Sequence, residues 1–174
     1  FGISDENAEL KEGGISQTVS LALNQMITIS HNYSALLLSE KLKNTNIADF
    51  IESQKLTHSK LSVGSNPPQT TASDQLFILE KLYKGEYVDS DSSKEMLEIM
   101  KNQKLNDGLP KNLPAGTVVA HKTGDLGWFK HDAGIVLTDK ADYVIIVLSE
   151  TDAPVAAQAR IANISKAVFD YFQN

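Results

Sequence analysis

Cysteine is absent from the 174 residues. That excludes disulfides, thiolate catalysis and cysteine-based metal sites. Positive charge is scarce, with sixteen Lys and Arg against twenty-two Asp and Glu for a formal net charge of −6. This balance argues against nucleic acid or an anionic membrane as partner, because phosphate binding needs a positive footprint. Long apolar runs are also missing. The longest, such as Tyr143 to Leu148, are strand-sized and fall well short of the ~20 residues a membrane helix requires. There is no repeat and no low-complexity tract. The sequence opens at Phe1 in mid-pattern, without a methionine or targeting segment, and the expectation is an N-terminal truncation.

What is present fits one globular domain with a sizeable core. Phe1 to Ser16 is polar and contains Gly13-Gly14, a loop signal. Val19, Leu23, Met26 and Ile27 recur at helical spacing after Thr18, which predicts a helix over 18–29 with Thr18 as its cap. Ser30-His31-Asn32 interrupts it, and a second helix is expected over 33–43. A short helix over 47–55 would bury Ile47, Phe50 and Ile51. Residues 56–69, with Gly64, Pro67 and Pro68, read as a loop. Thr71 then caps a helix that faces Leu76, Leu79 and Leu82 to the core and stops at Gly85, and Asp74 could complete a capping box. Another helix is expected over 92–101, followed by a loop over 107–116.

The last third changes character. Residues 117–121, 133–138 and 143–149 are β-rich, and Thr138 to Asp142 supplies a tight connection for an antiparallel hairpin. The run YVIIVLS is apolar on both faces, so both faces should be covered and both edges paired. Pro154 opens a final helix to about Phe172, with Val155, Ala159, Ala162, Ile164, Val168 and Phe169 as candidate sheet-facing residues. Helices first and strands later predict an α+β fold, a helical region (1–116) joined to an antiparallel sheet covered by helices (117–174).

Three features bear chemistry. Ser30-x-Asn32 breaks two helices, Lys122-Thr123-Gly124 ends a β-branched run, and Thr70-Thr71 opens a helix after a Pro-containing loop. Ser30 can relay a proton and Asn32 offers an amide to a substrate. Lys122 can lower the proton affinity of a nearby hydroxyl and bind a carboxylate. The backbone N–H of Asp125 could face a developing oxyanion. Taken singly, Ser30 and Asn32 read as a helix cap and the Lys-Thr-Gly triplet as a strand end with a turn glycine. His121 and His131 lack ligand-spaced partners, so no metal is expected. Lys130 reads as a solvated strand-end lysine, with a role in holding a substrate carboxylate as the alternative. Trp128 and Phe129 could flank a groove or pack under the sheet.

In this order and setting the three features resemble the class A β-lactamases and penicillin-binding proteins, whose motifs are Ser-x-x-Lys, Ser-Asp-Asn and Lys-Thr-Gly. LNQMITISHNYSALLL is similar to that family's helix, Ser-x-Asn turn and next helix, and QTTASDQLFILEKL to its Thr-Thr helix. GTVVAHKTGDLGWFKHDAGIVLTDKADYVIIVLSET is similar to its last three strands. The resemblance implies a serine hydrolase that transfers an acyl group from a β-lactam or a peptidoglycan stem peptide, without a cofactor. Ser30 and Lys122 would be its catalytic residues, Ser30 the proton relay. Asn32, Thr123, Gly124 and Asp125 would bind substrate, Asp125 through its N–H in the oxyanion hole. It also implies an extracytoplasmic location, secreted or anchored at the outer face of a bacterial membrane, with any anchor upstream of Phe1.

The departures are specific. No lysine has a serine three positions before it, and in Ser90-Asp-Ser-Ser-Lys94 the required position holds Asp91. The nucleophile is therefore expected upstream of Phe1, and this chain alone should not catalyse acyl transfer. His31 stands where class A enzymes commonly have Asp, which removes a carboxylate that would organise the turn. No Glu lies between Leu56 and Gln69, so water attack on an acyl-enzyme should be slow. This favours a D,D-peptidase-type penicillin-binding protein as an alternative. A non-catalytic relative that binds cell-wall peptide or a protein partner is the reading outside the enzyme class.

Overall fold

The computed structural model describes residues 16–62 and 66–173. The Gly13-Gly14 loop expected near the start lies outside the described residues. The described elements run α1 (Val19–Thr28), α2 (Asn32–Leu42), α3 (Asn44–Ser53), α4 (Ala72–Tyr83), α5 (Ser90–Lys101), β1 (Val118–Leu126), β2 (Phe129–Leu137), β3 (Tyr143–Glu150) and α6 (Pro154–Gln173). The strands form an antiparallel sheet in the order β1-β2-β3. The predicted α+β class, an antiparallel sheet covered by helices, is the observed one.

Strand alternation builds the layers. Ala120 pairs with Ile135, and Ile135 with Val144; these residues face Leu79 and Leu82 of α4 and Met100 of α5. Val119 pairs with Val136, and Val136 with Tyr143; this face meets Ile161 of α6 and Leu109. Both faces of β3 are thus covered, as its two-sided apolar run predicts. Its edges are another matter. Among the described residues β3 pairs only with β2.

Other expectations require correction. In α6 the stripe toward the sheet is Ala157, Ile161, Ala162 and Ser165, continued by the partly buried Val168, Phe169 and Phe172. Val155, Ala159 and Ile164 are exposed instead, because the i, i+4, i+8 row that meets the sheet starts at Ala157. In α4, Leu79 and Leu82 are buried but Leu76 is exposed. No residue of α3 is fully buried, and Phe50 is 49% exposed. That helix lies against α2 at the margin of the domain, so its apolar residues report a marginal position.

Thr71 caps α4 by accepting from the Asp74 N–H at 3.2 Å. The Asp74 carboxylate, expected to return a capping bond, accepts from the His58 N–H at 3.0 Å and the Ser59 hydroxyl at 2.8 Å. It thereby ties the preceding loop to the helix start. The same loop is closed on itself by paired backbone bonds between Lys60 and Gln69. Thr71→Ala is expected to lower stability by about 1 kcal/mol, the usual worth of a Thr cap. Urea denaturation monitored by circular dichroism measures it, and an unchanged midpoint would mean that the Asp74 bonds alone hold the helix start.

Candidate active site

The site begins where α1 stops. Ile29 leaves the helical region, and Ser30 sits at φ 56, a left-handed conformation that costs a non-glycine residue of the order of 1 kcal/mol. Several bonds hold it there. The last carbonyls of α1 are satisfied by the segment after α5, since Gln103 Nε2 donates to Ile27 O at 2.7 Å and the Lys104 N–H to Thr28 O at 2.8 Å. The His31 ring caps α2 by accepting from the Ser34 N–H at 3.2 Å. The Ser34 hydroxyl in turn donates to Gln17 Oε1 at 2.9 Å. His31 replaces the carboxylate that the resemblance implies would organise this turn, and here its imidazole caps α2 instead. Asn32 opens α2 next to this cap and is exposed.

The opposite wall is β1. The sequence predicts that this strand ends at His121, before Lys-Thr-Gly, whereas it continues through the triplet to Leu126, each residue in register with β2. Gly124 breaks the β-branched pattern without breaking the ladder, because it pairs with His131. A side chain at Gly124 would put a Cβ 3.2 Å from His131 Cβ, so glycine permits close approach here.

The structure brings Ser30 and Lys122 together. The Lys122 ammonium donates to Ser30 Oγ at 2.8 Å and to the Thr123 carbonyl at 2.6 Å. Burial pushes Lys122 below the ordinary lysine value, and the nearby Asp132 carboxylate opposes that shift. A hydroxyl held against a desolvated ammonium is suited to pass a proton, and the same ammonium can bind an anion at the strand surface.

Beyond Lys122, Gly124 and Asp125 line a groove of about 760 Å³. Thr70, Thr71, Phe129 and His131 also line it. Ser30, Asn32, Lys122 and Thr123 do not line it, so the Ser30–Lys122 contact and the groove are successive stations along β1. Phe129 thus flanks a groove, while Trp128 stands 64% exposed at the strand turn. Lys130, expected to be solvated, has a side chain only 17% exposed and pairs with Asp125. The His131 ring accepts from the Ser149 N–H at 3.0 Å. Only the strand register, which pairs His131 with Gly124, marks His131 as a groove residue. Among the described residues no cluster of His, Asp or Glu could hold a metal ion.

Solved structures share this arrangement of elements. The beta-lactamase from Sphaerobacter thermophilus DSM 20745 superposes with a TM-score of 0.86 at 22% identity, over 93% of this chain and 66% of that one. A mutant of PBP-A, in an acyl-enzyme complex with penicillin G, gives 0.85 at 23% identity over 94% of this chain and 65% of that one. A beta-lactamase from Chitinophaga pinensis DSM 2588 gives 0.83 at 23% identity over 97% and 70%. At these identities the likeness establishes the fold. The chain spans about two thirds of the length of these structures. Among curated proteins none matches it. A family model described as the beta-lactamase enzyme family matches residues 5–172, nearly the full length, and the chain therefore belongs to the beta-lactamase enzyme family.

Proposed function

We propose that this chain forms one wall of an acyl-transfer site that takes β-lactams or peptidoglycan stem peptides. The observation that carries the reading is the 2.8 Å bond from Lys122 to Ser30, which joins two motifs distant in sequence into one proton-handling pair. Ser30 relays the proton to the leaving amine, and Lys122 polarises Ser30 and attracts the substrate carboxylate together with Thr123. Asn32 binds a substrate amide, Gly124 keeps the groove open, and Asp125 lends its N–H to the oxyanion. The site lies between a helical part (1–116) and a part made of three strands and the final helix (117–174). The acyl-enzyme that a PBP-A mutant forms with penicillin G supports the substrate class. A peptidoglycan substrate places the protein on the extracytoplasmic side.

The nucleophile belongs to a segment outside this chain, because no Ser-x-x-Lys occurs within it. The lack of Glu between Leu56 and Gln69 favours a long-lived acyl-enzyme of the D,D-peptidase type over rapid hydrolysis. The test is a fluorescent penicillin, added to the 174-residue chain and to the chain produced with the coding sequence upstream of Phe1. The chain alone should take no covalent label, and the longer protein should be labelled and release the label slowly. Rapid release would overturn the assignment of a missing deacylation base. A longer protein that carries Ser-x-x-Lys yet takes no label would sink the acyl-transfer reading and leave a peptide-binding relative.

A further inference from the structure

Two charges of opposite sign face the groove beyond Lys122 without a counter-ion. Glu150 ends β3, and alternation puts it on the same face as Leu148, which pairs with His131; all three line the groove. Lys60 lines it from the segment before α4. Both charged side chains are exposed, and among the described residues neither forms an ion pair. The other ionisable groups along the groove are engaged. Asp125 pairs with Lys130, the His131 ring accepts from the Ser149 N–H, and the His58 ring lies 3.0 Å from the Thr57 hydroxyl.

Each of the two charges stands on fixed backbone. The ladder with β2 holds Glu150 opposite Phe129. Lys60 exchanges two backbone bonds with Gln69, at 2.9 and 3.0 Å. Ser59 beside it is bonded to Asp74 at 2.8 Å and to Thr70 at 2.9 Å. Opposite charges that line one groove without meeting leave space between them. A ligand that carries both charges fills that space, and the fixed walls lower the ordering cost of binding it. Direction narrows the ligand further. An extended peptide with its terminal carboxylate at Lys122 advances ~3.3 Å per residue along β1. Its third residue from the end then lies level with Gly124 and Asp125, which line the groove. In a stem peptide that residue is a diamino acid. Its side chain ends in a bare ammonium, or in an ammonium and a carboxylate on one carbon.

We propose that Lys60 and Glu150 select stem peptides whose diamino acid ends in a free amino acid group, Glu150 taking the ammonium and Lys60 the carboxylate. The direction of the peptide rests on the acyl-transfer reading above, but binding is measurable without any turnover. A bare ammonium satisfies Glu150 and leaves Lys60 unused, and a bare carboxylate does the reverse. Exposed charge pairs are each weak and screened by salt, so the two sites act as a selector among peptides and the affinity comes from the rest of the groove.

The experiment titrates the isotope-labelled 174-residue chain at low salt with three peptides that share a D-alanyl-D-alanine end and differ in the residue before it. One carries diaminopimelate, one lysine, and one α-aminopimelate, which keeps the distal carboxylate and lacks the ammonium. Chemical shifts of the groove residues report binding. The diaminopimelate peptide should bind several-fold tighter than either of the others. Glu150→Gln should weaken it several-fold and leave the α-aminopimelate peptide unchanged. Lys60→Gln should weaken it likewise and leave the lysine peptide unchanged. Both side chains are exposed, so the variants keep the fold, and the shift spectrum checks this directly. No saturable shift in the groove, equal affinities for the three peptides, or losses that do not follow the missing charge would overturn the proposal. So would loss of the preference in the protein that includes the upstream segment, because that segment would then fill the groove. Penicillin labelling of the longer protein can fail while the charge preference persists, and the preference can fail while labelling persists, so the two readings fall separately.

Discussion

Gly134→Ala lowers the stability of the chain by about 3 kcal/mol or more, or prevents its folding altogether. Gly134 pairs with His121 across β1 and β2. A Cβ built there lies 2.5 Å from His121 Cβ, 2.7 Å from the Ala120 carbonyl and 2.9 Å from His121 Cα. Two of those contacts are with backbone, which can move only by opening the ladder. The third is with His121 Cβ, which the backbone holds in place whatever the rotamer. Ordinary overpacking is relieved by a rotamer change, and here no such relief exists. Against a total stability of about 5–15 kcal/mol for a domain of this kind, the loss is a large fraction. Gly124→Ala provides the scale. Its Cβ would lie 3.2 Å from His131 Cβ, a contact a few tenths of an ångström can relieve, so it should cost well under half as much. Urea unfolding of both variants measures the order. A Gly134→Ala protein within 1 kcal/mol of its parent would show that the two strands are not so closely packed.

Gly134 illustrates what the sequence leaves illegible. Nothing local marks it, because its reason lies across the sheet in the backbone and Cβ of the facing strand at Ala120 and His121. The caps at Thr18 and Thr71 were legible, since capping is decided within a turn of chain. The faces of β3 were legible because period two survives in its residues. The continuation of β1 through Lys122-Thr123-Gly124 was not. Polar residues and a glycine end an apolar run, and only the partner strand shows that the ladder persists. The marginal place of α3 and the true stripe of α6 are likewise properties of neighbours. Within the site, the motif residues alone point to Ser30 and Lys122. The sequence does not reveal that Lys130 is held by Asp125. That depends on strand register, which is fixed by the whole sheet.

Lys122→Met should separate what the site needs from what the fold needs. Methionine keeps an unbranched apolar stem and removes the ammonium. The folded environment depresses the Lys122 pKa below 10.5, chiefly through burial, with Asp132 opposing. The sign of the stability effect follows. Between the folded and unfolded values the unfolded chain binds more protons, so stability rises with pH across that alkaline window. At neutral pH the lysine is charged in both states and the desolvation cost is fully present. Removing the charge should therefore leave thermal stability at neutral pH equal to or above that of the parent, and should abolish this lysine's share of the alkaline rise. Function should move the other way. On the proposed acyl-transfer reading, loss of the ammonium takes from Ser30 its donor and from a substrate carboxylate its counter-charge. Penicillin labelling of the protein that includes the upstream segment should slow on the order of a hundredfold, as when one preorganised donor is removed from an acyl-transfer site. A variant that loses stability and labelling in parallel would mark Lys122 as a structural strut. A variant that stays stable and labels at the parent rate would remove it from the acyl-transfer reaction.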